Sequence, residues 1–136
     1  MMLCLDTNVV VNLLTGRQST VRRRFDHERS AGRRLTLPVI ALFELRFGAA
    51  NSDRPEANAR VLETLLADTI DILHFDSEDA AEAGEIRAHL RSQGTPIGPY
   101  DVLIAAQARR REATLITSNL REFKRVPGLI VMDWAA

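Results

Sequence analysis

The sequence predicts an α/β fold, a central, mostly parallel sheet sandwiched between helices. Three observations carry this. Short apolar runs of strand length recur at Met2–Leu5, Leu35–Leu37, Ile70–Phe75, Thr114–Thr117 and Leu129–Met132. Longer stretches with helical spacing of apolar residues separate them. Strands that alternate with helices pair in parallel and need cover on both faces. The chain has 136 residues, 46% of them hydrophobic and 26% charged, with no linker, repeat or low-complexity tract. That suits one soluble domain, residues 1–136, with a real core.

The elements follow in order. Met2 to Leu5 is a buried strand ending at Asp6, and Val9 to Leu14 is a short apolar helix that stops near Gly16. Gln18 to Ser30 is an arginine-rich helix with Val21 and Phe25 four residues apart, stopped near Gly32. After the strand Leu35–Leu37, Pro38 suits a helix first turn, and Val39 to Ala50 is that helix. Asp53-Arg54-Pro55 is a cap-and-start signal for a helix whose apolar stripe is Val61, Leu62, Leu65 and Leu66.

Ile70 to Phe75 alternates as a strand, and Asp76-Ser77-Glu78-Asp79 places acids at the positive end of the next helix. Its inner stripe is Ala80, Ala83, Ile86, the Arg87 stem and Leu90, with Gly94 as its end. Gly98-Pro99 opens a helix over Tyr100–Arg111. The strand Thr114–Thr117, a helical turn over Asn119–Phe123 and the strand Leu129–Met132 complete the chain.

Eighteen basic and eighteen acidic residues cancel, so no global field marks a nucleic-acid partner. Arginines do cluster, at Arg22-Arg23-Arg24, Arg33-Arg34 and Arg109-Arg110-Arg111, and near Lys124, the only lysine. Forked arginine donors suit a polyanion, and a compositional bias gives the same pattern. Cys4 is the single cysteine, so no internal disulfide forms; its apolar surroundings read as core. The amino terminus lacks a basic leader, and no stretch approaches the roughly 20 apolar residues of a membrane span. The expectation is a cytoplasmic protein.

Chemistry is concentrated in acids that sit in apolar company. An ionised carboxylate in a buried segment needs pairing, hydrogen bonds or a metal. Asp6 ends the first strand, where it either caps the following helix or serves a site, with Thr7 and Asn8 able to orient it or a water. Glu44 lies in Val39-Ile40-Ala41-Leu42-Phe43-Glu44-Leu45, which is apolar on nearly every side and so reads as buried. Its local alternative, a salt bridge to Arg46, is weak because side chains two apart on a helix do not face each other. Asp101 opens an apolar helix, where the dipole alone can favour it. Asn119 and Glu122 follow a strand, and Glu122 reads equally as a solvated glutamate. His27, His74 and His89 share no metal spacing. Carboxylates without histidine or cysteine select hard cations, Mg2+ or Mn2+, and such a site points to phosphodiester chemistry. No glycine-rich phosphate loop is present.

Asp6-Thr7-Asn8 after a first strand, a lone Glu44 in an apolar helix, Pro99-Tyr100-Asp101, and Thr117-Ser118-Asn119 after a strand together resemble the PIN domain. The ending Asn119-Leu120-Arg121-Glu122-Phe123-Lys124-Arg125-Val126-Pro127-Gly128-Leu129, with Asp133-Trp134, looks like the VapC toxins of bacterial type II toxin–antitoxin modules, especially their FitB-like branch. The resemblance implies a PIN-like α/β/α sandwich and an endoribonuclease dependent on Mg2+ or Mn2+. It implies Asp6, Glu44 and Asp101 as metal ligands and catalytic acids, with Glu122 as a further acid. Asn119 stands where many PIN domains keep an aspartate, and related toxins offer the acid in the following Arg-Glu-Phe, here Glu122. Thr7, Asn8 and Asn119 are the orienting residues. The implied substrate is tRNA or rRNA, with the initiator tRNA anticodon loop as one target. The implied partners are a VapB-type antitoxin and a second copy in a homodimer. Val9–Leu14 and Val61–Leu66 are the stripes available for an antitoxin groove. Two other readings remain at this point. A degenerate PIN domain binds RNA or protein without cutting, and a receiver-like phospho-acceptor domain expects paired early acids and a late pocket lysine that this sequence does not supply.

Overall fold

The computed structural model describes residues 1–67 and 69–136. Its elements are β1 (Met2–Leu5), α1 (Thr7–Thr15), α2 (Ser19–Ser30), β2 (Arg34–Pro38), α3 (Val39–Ala50), α4 (Pro55–Leu66), β3 (Ile70–Leu73), α5 (Ser77–Ser92), α6 (Pro99–Arg110), β4 (Thr114–Ile116), α7 (Leu120–Phe123) and β5 (Ile130–Met132). The sheet has five strands in the order β3-β2-β1-β4-β5. Every pairing is parallel, so the mostly parallel expectation sharpens to an all-parallel sheet.

The strand order dictates where a site can form. From β1 the chain moves outward to β2 and β3, then crosses back to β4 on the other side of β1 and continues to β5. The connections leaving β1 and β4 therefore diverge. A crevice opens between their carboxyl ends, the topological switch point where ligands bind in open α/β sheets. Register fixes the two ends side by side, because Leu5 pairs with Ile116. Asp6 follows the first, and its N–H donates to the Ile116 carbonyl at 2.9 Å.

The core is aliphatic and tight. Cys4, Leu5, Leu37, Leu115 and Ile116 are fully buried on the central strands, and Ile104, Ala105, Ala106 and Ala108 on α6. Burial pushes the Cys4 thiol up to about 12, and a hydrogen bond with Thr36 only partly offsets this. That is a core thiol and not a reactive one. Trp134 is buried edge-on to Phe25 at 6.5 Å between ring centroids, which ties the carboxyl-terminal segment to α2.

Several local expectations change. Pro38 closes β2 and caps α3 from outside, because its ψ of 139° is extended and not helical. β3 ends at Leu73, short of Phe75. Thr117 lies past the end of β4, although its N–H still reaches the Met132 carbonyl at 3.0 Å. On α5, Ala83, Ile86 and Leu90 are buried as expected, whereas Ala80 and Arg87 are exposed and Asp79 takes the buried place at the amino end.

The arginine clusters are largely absorbed by the fold. Arg110 pairs with Asp76, Glu78 and Asp79, and Arg111 with Asp79. Arg109 pairs with Glu82 at 2.6 Å. Arg22 and Arg29 both lie 5.7 Å from the Phe25 ring centroid. Among the described residues no helix is long and apolar enough to cross a membrane.

Candidate active site

Each acid reaches the crevice from a different element. Asp6 caps α1 from outside, with extended backbone, and its Oδ1 accepts the Thr7 N–H at 2.8 Å. Its Oδ2 accepts the Thr117 hydroxyl at 2.8 Å and the Asn8 side-chain amide at 3.1 Å. The cap and the site are thus the same arrangement. Three donors fix the carboxylate while only 4% of the residue is exposed. Burial pushes the Asp6 carboxyl above the ordinary 3.8, the three hydrogen bonds pull it down, and the nearby Glu44 charge pushes it up again.

Glu44 projects from the second turn of α3, half-buried, and accepts the Thr7 hydroxyl at 2.7 Å. Arg46 turns away to Glu63, so the local salt bridge is absent. The expectation that α3 is buried all round is overturned. Phe43 is 52% exposed and Phe47 61%, so an apolar flank of α3 faces outward. Apolar composition alone does not say whether the chain itself covers a helix.

Asp101 lies in the first turn of α6. Its carboxyl is raised to about 6, first by burial and then by Asp6, Glu122 and Glu44, with a hydrogen bond to Glu122 adding to the rise. Asp101 thus feels each of the other three acids, and Asp6 feels Glu44. Asn119 donates its side-chain amide to Glu122 at 3.2 Å, and its N–H to the Thr117 hydroxyl at 2.9 Å. The Ser118 N–H donates to Asn8 at 3.2 Å. These bonds lash the β4 end to the β1 end.

Asp6, Thr7, Asn8, Glu44, Asp101 and Asn119 line one open cleft of about 650 Å³, and Glu122 adjoins it through Asp101 and Asn119. Further residues complete the cleft beyond those the sequence predicts. Asn12, Arg17 and Gln18 line the far end of the cleft, and Gly98 supports Asp101. A Cβ at Gly98 would lie 3.1 Å from Asp101 Oδ2, so glycine lets that carboxylate pack against backbone. The sequence marks Gly98 only as a helix start. The three histidines are exposed and take no part.

The donor set suits a hard divalent cation, since it is carboxylate and hydroxyl oxygen throughout. Burial first, and then neighbouring acids, raise the Asp6 and Asp101 carboxyls. Among the described residues, however, no group of three or more His, Cys, Asp or Glu side chains is placed to hold a metal ion.

The PIN domain family matches residues 3–129. Over 130 residues, 96% of each chain, the sequence is 39% identical to the tRNA(fMet)-specific endonuclease VapC of Salmonella typhimurium. The chain belongs to the PIN domain family, in its VapC group. Solved structures agree with the fold. VapBC2 from Rickettsia felis, bound to a DNA fragment from the promoter, superposes with a TM-score of 0.92 at 31% identity, covering 98% of this chain and 99% of that one. FitAcB from Neisseria gonorrhoeae superposes at 0.81 with 27% identity, covering 98% of each. PIN-domain nucleases are generally dependent on a divalent metal.

This PIN domain has a second depression beside the acids. A groove of about 430 Å³ runs between α1, α3 and α4, lined by Val11, Leu14, Leu45, Val61 and Leu62. Thr7 and Glu44 line both the groove and the acid cleft. The two apolar stripes expected from the sequence are thus neighbours, and Val11 and Val61 are exposed in them.

Proposed function

We propose that this chain is the toxic component of a type II toxin–antitoxin pair, a Mg2+- or Mn2+-dependent endoribonuclease that cuts structured RNA. The observation that carries the reading is that Asp6, Glu44 and Asp101 all line one cleft at the sheet's switch point. The substrate class is tRNA, with the initiator tRNA anticodon loop first, because VapC relatives 39% identical are named for tRNA(fMet).

Asp6, Glu44 and Asp101 would hold the cation, with Glu122 acting on Asp101. A bound Mg2+ or Mn2+ would supply positive charge to a phosphoryl oxygen and would lower the pKa of an attacking water. The chain's own residues do the positioning. Thr117 and Asn8 lock Asp6, Thr7 aims Glu44, and Gly98 lets Asp101 sit close to the backbone. Asn119 orients Glu122.

A VapB-type antitoxin occupies the α1–α3–α4 groove, whose floor leads to Thr7 and Glu44. The exposed Phe43, Phe47 and Tyr100 suit a homodimer face. The setting is the cytoplasm, where the RNA is.

The test is cleavage of total cellular RNA by purified, antitoxin-free protein with Mg2+ or Mn2+, followed by mapping of 5′ ends. Cleavage in an anticodon loop, lost with chelator and in Asp6→Asn and Asp101→Asn, supports the proposal. No cleavage, with toxicity retained in both variants, rejects it in favour of a non-cutting binding module.

A further inference from the structure

We propose that Arg17 is the RNA-anchoring residue of the acid cleft, gripping a backbone phosphate away from the one that is cut. The inference rests on the endoribonuclease reading above. A cleft lined by Asp6, Glu44 and Asp101 repels a polyanion, so RNA needs a cation at its edge to be held there. Among the described residues lining this cleft, Arg17 alone carries positive charge. Arg109, Arg110 and Arg111, at the carboxyl end of α6, are by contrast already paired with acids of α5 and its cap. Arg17 is exposed and has no ion pair or hydrogen bond among the described residues.

Its backbone is held in place. Gly16 turns the chain out of α1 in the left-handed region at φ 65°, with its N–H on the Asn12 carbonyl at 2.9 Å. Asn12 then binds Gln18 twice, donating its amide to the Gln18 side chain at 2.7 Å and accepting the Gln18 N–H at 3.0 Å. The residues on either side of Arg17 are thereby fixed, and the guanidinium remains free for a phosphate, which it can meet with two parallel donors. The nine residues of α1 separate it from the Asp6 end by about 14 Å. That distance assigns Arg17 to a flanking phosphate, so its loss weakens binding of ground state and transition state alike.

The test uses a labelled anticodon stem-loop RNA of initiator tRNA, with binding measured by anisotropy across a salt series in an Asp6→Asn background that leaves the RNA intact. Adding Arg17→Ala is expected to weaken binding roughly five- to tenfold and to lower the slope of log affinity against log salt by about 0.7. Arg17→Lys should recover most of both. In the otherwise wild-type enzyme, Arg17→Ala should raise KM, with the loss falling there and not on kcat. A melting temperature equal to that of the parent shows the fold intact, as an exposed loop residue predicts. If the parent binds RNA and Arg17→Ala changes neither affinity nor salt slope, the inference is overturned and the ribonuclease reading stands. If the Asp6→Asn parent does not bind and the wild type does not cut, both fall together.

Discussion

Replacing Asp101 with asparagine should abolish RNA cleavage and at the same time stabilise the metal-free protein. The Asp101 carboxyl is raised from 3.8 to about 6 by burial and by the Asp6, Glu122 and Glu44 charges. At about 1.4 kcal/mol per pKa unit the full penalty for keeping it ionised is roughly 3 kcal/mol. The side chain is only half-buried, and solvent screening cuts this to on the order of 1 kcal/mol. Its sign with pH follows from the direction of the shift. A carboxyl raised in the folded state destabilises the fold above about pH 6, and the penalty fades as pH falls toward the unfolded value near 4.

Thermal melts in chelator should therefore place Asp101→Asn roughly 3–5 °C above wild type at pH 7.5. The gap should shrink to roughly a third by pH 4.5 and close below about pH 3.5. Adding Mg2+ or Mn2+ should raise the wild-type melting temperature and leave the variant nearly unmoved, because a ligand stabilises only the state that binds it. A variant that melts at or below wild type at pH 7.5, or a gap that does not depend on pH, would refute the electrostatic account of the cleft.

Other substitutions separate positioning from folding. Thr7→Val keeps the shape and removes the 2.7 Å donor to Glu44, so cleavage should fall roughly tenfold and the divalent midpoint should rise. Gly98→Ala fits a backbone at φ −56° but presses on Asp101 at 3.1 Å. Stability should change by less than about 0.5 kcal/mol while cleavage drops about tenfold, read by urea titration and single-turnover kinetics. Asp79→Asn should destabilise by on the order of 2 kcal/mol at pH 7, after screening of its partly exposed arginine partners is allowed for. Because the Asp79 carboxyl is lowered to about 2, that stability is present above the unfolded value near 4 and is lost as pH falls through about 2. Urea denaturation at pH 3 should show roughly half the difference seen at pH 7.

The acids were legible because each breaks a local pattern. Asp6 ends an apolar strand, and Glu44 and Asp101 interrupt or open apolar helices, so burial without a local partner could be inferred from one segment at a time. Their convergence was legible only through the rule that sites form at strand carboxyl ends. Long-range partners left no local trace. Arg110 and Arg111 meet Asp79 across 31 and 32 residues, and nothing in the spacing of either segment announces it. The exposed flank of α3 was misread for a related reason, since Phe43 and Phe47 look the same in sequence whether their cover is this chain or another. Arg17 stayed hidden because one arginine among 17 carries no signal until a cleft selects it.

Asp79 and Asp101 show why position on a helix does not determine what an acid does. Each is the third residue of its helix, after Ser77 in α5 and after Pro99 in α6, where the dipole favours a carboxylate by about 0.3–1 kcal/mol. Yet the first is lowered to about 2 and the second raised to about 6. The dipole contribution is common to both, so it cannot explain opposite shifts. Neighbours decide the outcome. Asp79 is closed over by Arg110 and Arg111 and by the Asp76 N–H, which consume its lone pairs and leave nothing for a ligand. Asp101 has acids around it and no arginine against it, so its charge is uncompensated by the fold. A chain that supplies counter-charge to one buried acid with arginines from the next helix has the means to supply it to another. Asp6 and Asp101 receive no such arginine, and their carboxyls stay raised, first by burial and then by the acids around them.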